Sequence, residues 1–251
     1  MRYWVEMSWP EIEALDKLRT VVIFPIGSIE QHGRHLPVGT DYLLMQKLVE
    51  ALAYTEIEGW TCLVTPTLQF GQNVEHIMFP GTVCLDRQTL DAVLYQQAES
   101  FRRHGFTRFI FLNAHGGNFD LLDTFVRTYK TRYNAHVENL DYFRCEVIKS
   151  EPGLLENPIG VDIHAGEFET ALMQYLYPNL VHMNHPKEDL CECNVRSIQL
   201  PLGWLTHEVS RSGVMGDATL ASKEKGERCF VLIVPYITGR IRAFLEKTAQ
   251  L

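Results

Sequence analysis

Short apolar segments recur along this chain, each bounded by glycine, proline or polar residues. Segments of this kind are typical of strands buried on both faces of a sheet, which is the situation of strands in a parallel sheet. We predict strands over Val21–Gly27, Thr61–Pro66, Phe109–Asn113 and Ala135–Leu140. Parallel strands need long crossover connections, so helices are expected between them.

The segments between these strands carry apolar residues at helical spacing. The sequence Ser8-Trp9-Pro10-Glu11 has the pattern of a capping box with proline in the first turn, and the short helix that it starts is expected to run through Leu18. Further helices are predicted over Asp41–Ala53, Leu85–His104, Leu121–Arg132, Glu167–Tyr177 and Ser222–Lys247.

Strands and helices that alternate in this way predict an α/β fold, with a mostly parallel sheet covered by helices on both faces. The 251 residues contain no evident linker, internal repeat or low-complexity tract. We therefore expect a single domain over residues 1–251. The stretch Asn179–Gly216 is enriched in glycine and proline, and we expect it to be a long surface excursion.

Composition narrows the class of protein. Hydrophobic residues make up 46% of the chain and charged residues 22%, the mixture of a folded globular protein. The 23 Lys and Arg against 31 Asp and Glu give a net charge of -8, without a basic block. Because binding to phosphates requires clustered cations, we expect no nucleic-acid partner and no anionic membrane partner.

The ends and the cysteines suggest a cytoplasmic location. Glu6, Ser8 and Pro10 interrupt the start of the chain, so we expect no secretory signal, and no stretch is long and apolar enough for a membrane span. Among the six cysteines only Cys191 and Cys193 lie close together, and their C-E-C spacing is not that of a redox or zinc motif. We expect reduced thiols.

Three clusters of histidines and carboxylates follow predicted strands or lie in loops. Open α/β sheets bind ligands at the carboxyl ends of their strands, so these positions are candidates for chemistry. The clusters contain Glu30, His32, His35 and Asp41; His115 within Asn113–Asn118; and Asp162, His164, Glu167 and Glu169.

Imidazole and carboxylate groups together suit divalent ions such as Zn²⁺ and Mn²⁺. Glu30 and His32 are two residues apart, so in an extended segment both side chains point the same way. The loop that follows contains Gly33 and Gly39, which allow the chain to fold back toward Asp41.

Each residue also has a purely structural interpretation. Asp41 alone would be a helix N-cap, His115 a hydrogen-bonded residue at a strand end, and Glu167 an acid in the first turn of a helix. His35 is either a partner behind the ligands or a surface residue. The combination favours a metal site, with Glu30, His32, Asp41 and His115 as its core.

At this point several segments resemble the creatininase (creatinine amidohydrolase) family. The matching motifs are E-x-H-G-x-H-L-P-x-x-T-D from Glu30 to Asp41, N-x-H-G-G-N from Asn113 to Asn118, and H-A-G-x-x-E-T from His164 to Thr170. Weaker matches are G-x-x-x-E-H-x-x-F-P-G-T from Gly71 to Thr82 and S-G-V-x-G-D from Ser212 to Asp217. The resemblance extends from about Val21 to Gly226.

The resemblance implies a three-layer α/β/α sandwich around a mostly parallel sheet. It also implies a pair of divalent ions, zinc or manganese, with iron as a further alternative. By position, Glu30 and His115 would bind one ion, His32 the other, and Asp41 would bridge them. Creatininase proper supplies a further glutamate where this chain has Gly117. Either Glu169 replaces that glutamate, or one ion is held less firmly than the other.

The resemblance also implies a mechanism, in which a metal-activated hydroxide attacks an amide carbon. Gly116 and Gly117 would present N–H groups to the oxyanion, and His76 is a further candidate for the pocket wall. His164 would either carry a proton to the leaving nitrogen or act as a hydrogen-bond partner of a metal ligand.

Three functions stay open. The first is a metal-dependent amidohydrolase acting on a small cyclic amide or formamide, and the second is a hydrolase of a carbon–carbon bond in a keto-inositol-like compound. The third is a non-catalytic protein that binds a metal or metabolite. The resemblance implies a homo-oligomer, and a hexamer is the expected form. We also expect the surface excursion after Asn179 to expose apolar residues, namely Val181, Met183, Leu200, Leu202 and Trp204.

Overall fold

A parallel sheet forms the centre of the molecule. The computed structural model describes residues 1–157, 162–185, 187–191 and 203–249. In these ranges the sheet has five strands in the order β1-β3-β2-β4-β5, and every neighbouring pair is parallel. The strands are β1 (Arg2–Tyr3), β2 (Thr20–Ile26), β3 (Thr61–Val64), β4 (Arg108–Asn113) and β5 (His136–Asp141).

Helices connect the strands and cover both faces of the sheet. The described α-helices are α1 (Trp9–Glu13), α2 (Thr40–Ala53), α3 (Arg87–Arg103), α4 (Phe119–Tyr133), α5 (Glu146–Ser150), α6 (Glu167–Leu176), α7 (Lys187–Leu190), α8 (Thr206–Val209) and α9 (Lys223–Ala249).

The core divides into two layers because side chains of a strand alternate between the faces of the sheet. In β2, Val21 and Ile23 join the layer under α2, α6 and α9. Val22 and Phe24 join the other layer, under α3 and α4. This arrangement is the α/β fold with a sheet between two helical layers that the sequence predicted.

The strand order places a crevice at the carboxyl ends of β2 and β4. From β2 the chain passes to β3 on one side, and β4 then pairs with the other side of β2. This reversal is a topological switch point, where loops diverge and leave room for a ligand. The segments that follow β2 and β4 contain Glu30 and His115, respectively.

Most predicted elements are present with ends shifted by one or two residues. The first helix is shorter than expected and ends at Glu13 rather than Leu18. The Lys17 ammonium donates to the carbonyls of Ile12 and Leu15, and Asp16 caps a separate turn, so the chain leaves the helix. The edge strand β1 was not predicted, because a strand of two residues is too short to show an alternation of apolar and polar side chains.

The surface excursion differs from expectation in its apolar residues. Val181, Met183 and Trp204 are half-buried rather than exposed, and Val181 packs against the core. Leu200 and Leu202 lie outside the described residues. None of the helices in the described ranges is long and apolar enough to span a bilayer.

A close contact between α6 and α9 depends on a glycine. A Cβ atom at Gly226 would lie 1.9 Å from the carbonyl oxygen of Ala171 and 3.0 Å from the Cβ of Tyr175. The absence of a side chain therefore allows α9 to approach the helix that carries Glu169. Gly239, in the same helix, has open space where its Cβ would be.

These two glycines give a matched pair of variants. We expect Gly226→Ala to lower the free energy of unfolding by about 1–3 kcal/mol, because α6 and α9 must separate. Gly239→Ala should raise it by about 0.5–1 kcal/mol, because alanine is the better helix former. Denaturant unfolding monitored by circular dichroism measures both values, and equal effects at the two positions would contradict the contact described here.

Candidate metal centre

Asp41 lies at the centre of the crevice with one carboxylate oxygen facing each of two groups of residues. Its Oδ2 is 3.4 Å from Nδ1 of His115, and that nitrogen is 3.0 Å from Oε2 of Glu30. Its Oδ1 is 3.4 Å from Nε2 of His32, which in turn lies 3.8 Å from Oε2 of Glu169. The first turn of α2 thus places Asp41 between side chains from the segments that follow β2 and β4 and a side chain of α6.

The ligand atoms form compact groups. Glu30, Asp41 and His115 each offer an atom within 4.8 Å of the others, and so do His32, Asp41 and Glu169. Glu30, His32 and His164 form a third group by the same measure. The five residues predicted as metal ligands are therefore brought together, and Asp41 is shared by two of the groups.

Three buried atoms at this point accept or donate no hydrogen bond within the described chain: Oε1 of Glu30, Nε2 of His32 and Oδ2 of Asp41. Polar atoms away from water are costly when they lack a partner. The three residues belong to the groups of closely spaced ligand atoms, so a cation held by those groups would give these atoms a partner.

Both histidines are held with a lone pair facing the carboxylates. Nδ1 of His32 lies 3.1 Å from the carbonyl oxygen of Glu30, so it donates its hydrogen there and leaves Nε2 as the free acceptor. Nε2 of His115 donates to the carbonyl of Gln72 at 3.1 Å and leaves Nδ1 free. The nitrogen that faces the carboxylates therefore needs positive charge beside it, either a proton or a metal ion, and this ring orientation is compatible with metal ligation.

A chain of hydrogen bonds fixes Glu30. The hydroxyl of Ser28 donates to Oε2 of Glu30 at 2.6 Å, and the amide of Asn73 donates to that hydroxyl at 2.7 Å. Ser28 and Asn73 are fully buried, so the carboxylate is fixed by partners inside the protein. Asn73 also donates to the carbonyl of Ile29, which ties the loop after β3 to the segment after β2.

The two asparagines of the Asn113–Asn118 segment position His115. The backbone N–H of His115 donates to Oδ1 of Asn113, and the amide of Asn118 donates to the same oxygen. Asn118 also accepts from the backbone N–H of Gln72 at 2.8 Å. The carbonyl of Gln72 that orients the imidazole is therefore held by the same network.

The third cluster is organised around the start of α6. Oε2 of Glu169 accepts the backbone N–H of Ala165 at 2.6 Å, and Ala165 has φ of 51°, in the left-handed region. Asp162 accepts the N–H groups of Glu167 and Phe168, the pattern of a helix cap. Glu167 itself is fully buried and pairs with the Lys225 ammonium at 2.5 Å, so it supports the helix and does not face the crevice.

The pKa values show the strength of the local field. Burial alone would lower the pKa of His32, but Asp41, Glu169 and Glu30 raise it to about 10. Burial likewise opposes a rise in the pKa of His115, yet Glu30 and Asp41 raise it well above its usual value. Both imidazoles thus have a high affinity for a proton at the nitrogen that faces the carboxylates, and positive charge is favoured at that point.

His164 and His76 stack on each other beside Glu30, with ring centroids 4.1 Å apart. Nε2 of His164 donates to the carbonyl of Gln31 at 2.6 Å, while its Nδ1 is 3.6 Å from Oε1 of Glu30. Burial and the neighbouring His32 lower the pKa of His164 to about 4. It is therefore a neutral imidazole at pH 7 with an accepting nitrogen at the crevice.

His76 is among the residues that line the cavity over these groups, although its side chain is almost completely buried. Its Nδ1 contacts the side chains of Gln31 at 2.9 Å and Thr206 at 2.8 Å, and its Nε2 lies 3.4 Å from Oε1 of Glu30. Burial and the charge of His164 lower the pKa of His76. This geometry suits a group that holds Glu30 from behind rather than one that presents an N–H to an oxyanion.

A cavity of about 230 Å³ opens over these groups. Gly116 and Gly117, in the turn after His115, line it as expected. Its apolar wall was not predicted residue by residue, and it consists of Phe143, Ile163, Phe168, Trp204 and Met215.

Glu75 is the acidic residue of this cavity that sequence reasoning did not select. Its Oε1 lies 3.3 Å from Nε2 of His115, and its side chain is 18% exposed. Although burial would raise the pKa of Glu75, the hydrogen bond and charge of His115 lower it. Its position beside His76 in the Gly71–Thr82 motif was the available signal.

Together the fold and this site define an α/β protein with a buried pocket whose donor atoms fit a pair of divalent cations. The family model for creatininase, described as creatinine amidohydrolase, matches residues 5–241. The chain belongs to the creatininase family.

Relatives of this chain carry three different named activities. The chain is 28% identical to 3-dehydro-scyllo-inosose hydrolase of Thermotoga maritima, over 98% of this chain and 84% of that one. It is 30% identical to creatinine amidohydrolase of Pseudomonas putida, over 94% and 95%. It is also 29% identical to the mycofactocin precursor peptide peptidase of Mycolicibacterium smegmatis, over 91% and 87%.

Solved structures agree with this membership. A creatininase variant complexed with creatine has a TM-score of 0.76 and 28% identity, covering 97% of this chain and 98% of that one. A variant described as the Zn-Zn type has a TM-score of 0.74 and 28% identity, covering 96% and 97%. A manganese form has a TM-score of 0.74 and 27% identity, with the same coverage.

His35 is buried behind the centre, which answers the open question of its position. Its Nε2 lies 2.9 Å from the hydroxyl of Thr170 in α6, and the side chain is not exposed. Burial, with the neighbouring His32, His185 and His164, lowers the pKa of His35 from 6.5 to about 4. In the folded state it therefore stays neutral under mildly acidic conditions.

A pH dependence of stability follows from this shift. As pH falls from 6.5 to about 4, the unfolded chain gains a proton at His35 that the folded chain does not gain, so the wild type loses stability. Relative to His35→Gln, the loss should approach about 1.4 kcal/mol per pH unit. Urea unfolding of both proteins at several pH values measures it, and a difference independent of pH would contradict the burial of a neutral imidazole.

Proposed function

We propose that this chain is a metal-dependent hydrolase that cleaves the C–N bond of a small amide or formamide. The observation that carries the proposal is the convergence of unsatisfied, buried donor atoms from Glu30, His32 and Asp41 on one crevice. Membership in the creatininase family supports the same reaction class.

The residues divide into two ligand sets. We assign Glu30 and His115 to one ion and His32 and Glu169 to the other, with Asp41 bridging, because its two oxygens face the two sets. Zinc and manganese are the proposed metals, since the related creatininase structures include a Zn-Zn type and a manganese form. A pair of such ions, when bound, supplies Lewis acidity toward a carbonyl oxygen and lowers the pKa of water.

His164 is proposed to move the proton. Its Nδ1 is unprotonated at neutral pH, since the pKa is lowered to about 4 by burial and by His32. It can accept a proton from the attacking water and release it to the leaving nitrogen, while the bond from Nε2 to Gln31 keeps the ring oriented. The backbone N–H groups of Gly116 and Gly117 are proposed to face the oxygen that becomes negative.

The apolar wall limits the substrate to a small molecule. Phe143, Phe168 and Trp204 present flat rings to a cavity of about 230 Å³, enough for a compact planar group. With a substrate bound, this apolar wall would reduce the access of water to the crevice, which would strengthen the electrostatic interactions inside it.

A second candidate function is cleavage of a carbon–carbon bond in a keto-inositol-like compound. It is favoured by the similarity to 3-dehydro-scyllo-inosose hydrolase, which extends over 98% of this chain. The same ions and the same proton carrier would serve both reactions, and the difference lies in the bond that breaks.

We also infer that the enzyme is a single cytoplasmic domain that works as a homo-oligomer. The buried free thiols of Cys62 and Cys229 support a reducing compartment. The net charge of -8 supports small-molecule partners rather than nucleic acid or an anionic membrane. The hexamer is an expectation from the family resemblance.

Metal analysis followed by a substrate screen tests the proposal. The purified protein should contain about two equivalents of zinc or manganese and release ammonia, amine or formate from at least one member of a panel of lactams, formamides and creatinine. Ring opening of a keto-inositol without a nitrogen product would favour the second candidate. A protein that binds stoichiometric metal and accelerates no member of the panel would be a non-catalytic metal-binding protein instead.

Asp41→Asn tests the bridging role. The neutral amide cannot hold two cations, so we expect loss of at least one metal equivalent per chain and a fall in turnover to background, with an unchanged circular dichroism spectrum. Asp91→Asn, an exposed residue of α3, is the control and should keep both metal and activity. Full metal content in Asp41→Asn, measured by elemental analysis, would disprove the bridge.

A further inference from the structure

Gln31 lies between Glu30 and His32 in the sequence but belongs to none of the groups of metal-binding atoms. Its side chain is almost completely buried. It contacts His76 on one side and the backbone of Gly213 on the other. The proposed function gives this residue no task, yet its hydrogen bonds determine how the imidazoles beside Glu30 carry their hydrogens.

Two backbone groups fix which end of the Gln31 amide faces His76. The N–H of Gly33 donates to Oε1 of Gln31 at 2.9 Å, and Nε2 of Gln31 donates to the carbonyl of Gly213 at 3.1 Å. Exchange of the two ends would oppose donor to donor at Gly33 and acceptor to acceptor at Gly213. The NH2 group is therefore the end that lies 2.9 Å from Nδ1 of His76.

The close approach of the Gly213 backbone to this amide requires a glycine. A Cβ atom at Gly213 would lie 1.9 Å from Oε1 of Gln31 and 2.6 Å from its Cδ. The φ of Gly213 is 88°, in the left-handed region that favours glycine. The glycine thus allows the turn to bring its carbonyl to Nε2 of Gln31.

The NH2 group of Gln31 can only donate, so Nδ1 of His76 must accept. The hydroxyl of Thr206 lies 2.8 Å from the same nitrogen, but a hydroxyl can donate or accept and does not decide where the ring hydrogen lies. With Nδ1 as acceptor, His76 is neutral and carries its hydrogen on Nε2, which lies 3.4 Å from Oε1 of Glu30. The opposite tautomer would turn a lone pair toward this carboxylate.

The backbone of Gln31 fixes the neighbouring imidazole in the opposite sense. Because a carbonyl oxygen only accepts, Nε2 of His164 donates to the carbonyl of Gln31 at 2.6 Å. The lone pair of His164 is then on Nδ1, 3.6 Å from Oε1 of Glu30. The two rings stack with centroids 4.1 Å apart, but His76 presents an N–H to Glu30 and His164 presents a lone pair.

We propose that Gln31 is a positioning residue that makes His76 a hydrogen donor and leaves His164 a proton acceptor beside Glu30. The side chain of Gln31 sets the first ring, and its backbone carbonyl sets the second. The use of His164 as a proton carrier rests on the proposed function, whereas the position of the hydrogen on His76 follows from the contacts of Gln31 alone.

NMR spectroscopy of the zinc-loaded protein with isotope-labelled histidine tests this inference. Long-range correlations between ring protons and ring nitrogens show which nitrogen carries hydrogen, and comparison with His76→Gln identifies the signals of His76. In the wild type we expect hydrogen on Nε2 and none on Nδ1. Gln31→Glu should place a hydrogen on Nδ1, because the oxygen that replaces the NH2 group can accept it.

Two control variants separate the effect of Gln31 from that of its surroundings. Thr206→Val removes the other partner of Nδ1 in His76 and should leave the hydrogen on Nε2. Gln96→Glu is the same type of change at an exposed residue of α3, and it should leave the signals of His76 as in the wild type.

A wild-type His76 without hydrogen on Nε2 would overturn the inference. Transfer of the hydrogen to Nδ1 in Thr206→Val, or an unchanged ring in a folded Gln31→Glu, would also overturn it. If Gln31→Glu does not fold, the wild type and Thr206→Val decide the question. A wild type that binds no zinc, measured by elemental analysis, contradicts the proposed function instead, and its metal-free form then gives the same test of His76.

Discussion

Repulsion between carboxylates held together away from water is the constraint that governs this site. Glu30 and Asp41 are almost completely buried and face a common space with Glu169 at its edge. Burial raises the pKa of Glu30, whereas His32 and His115 outweigh burial at Asp41 and hold its pKa below the usual value. Such an arrangement needs positive charge between the groups, from protonated imidazoles or from metal ions, and a nitrogen of each imidazole faces the carboxylates.

The fold meets this constraint by assembling the site from segments that are far apart along the chain. The reversal of strand order between β2 and β4 opens the crevice, and the start of α6 closes it from the other side. Hydrogen bonds from buried side chains to backbone groups then fix the loops, as with Asn118 and Gln72 or Asn73 and Ile29. The side chains proposed as ligands are therefore positioned by the fold itself, which would lower the cost of binding an ion.

Much of this architecture could be predicted from sequence because its signals are local. The run at β2 is buried at every position, and the spacing of two between Glu30 and His32 indicated a shared direction of their side chains. The burial of His35 could not be predicted, since its neighbours in sequence include the exposed Arg34. The packing of His35 against Thr170 depends on a helix more than a hundred residues away.

The acceptors behind the ligands were beyond sequence analysis for a different reason. The carbonyl of Gln72 orients His115, but a backbone carbonyl is common to every residue and leaves no trace in the sequence. Glu75 lies in a single 3₁₀ turn, Val74–His76, which is too short for a sequence period to indicate the direction of a side chain. Tertiary contacts alone bring these groups to the crevice.

The left-handed conformation of Ala165 constrains the evolution of this segment. A non-glycine residue at φ of 51° is held in a sparsely populated region, and the bond from its N–H to Glu169 compensates for that cost. Glycine and asparagine adopt this conformation more easily, whereas valine, isoleucine and threonine are strongly disfavoured there. Among descendants of this chain, drift at residue 165 should therefore be confined to small or amide side chains for as long as Glu169 is retained.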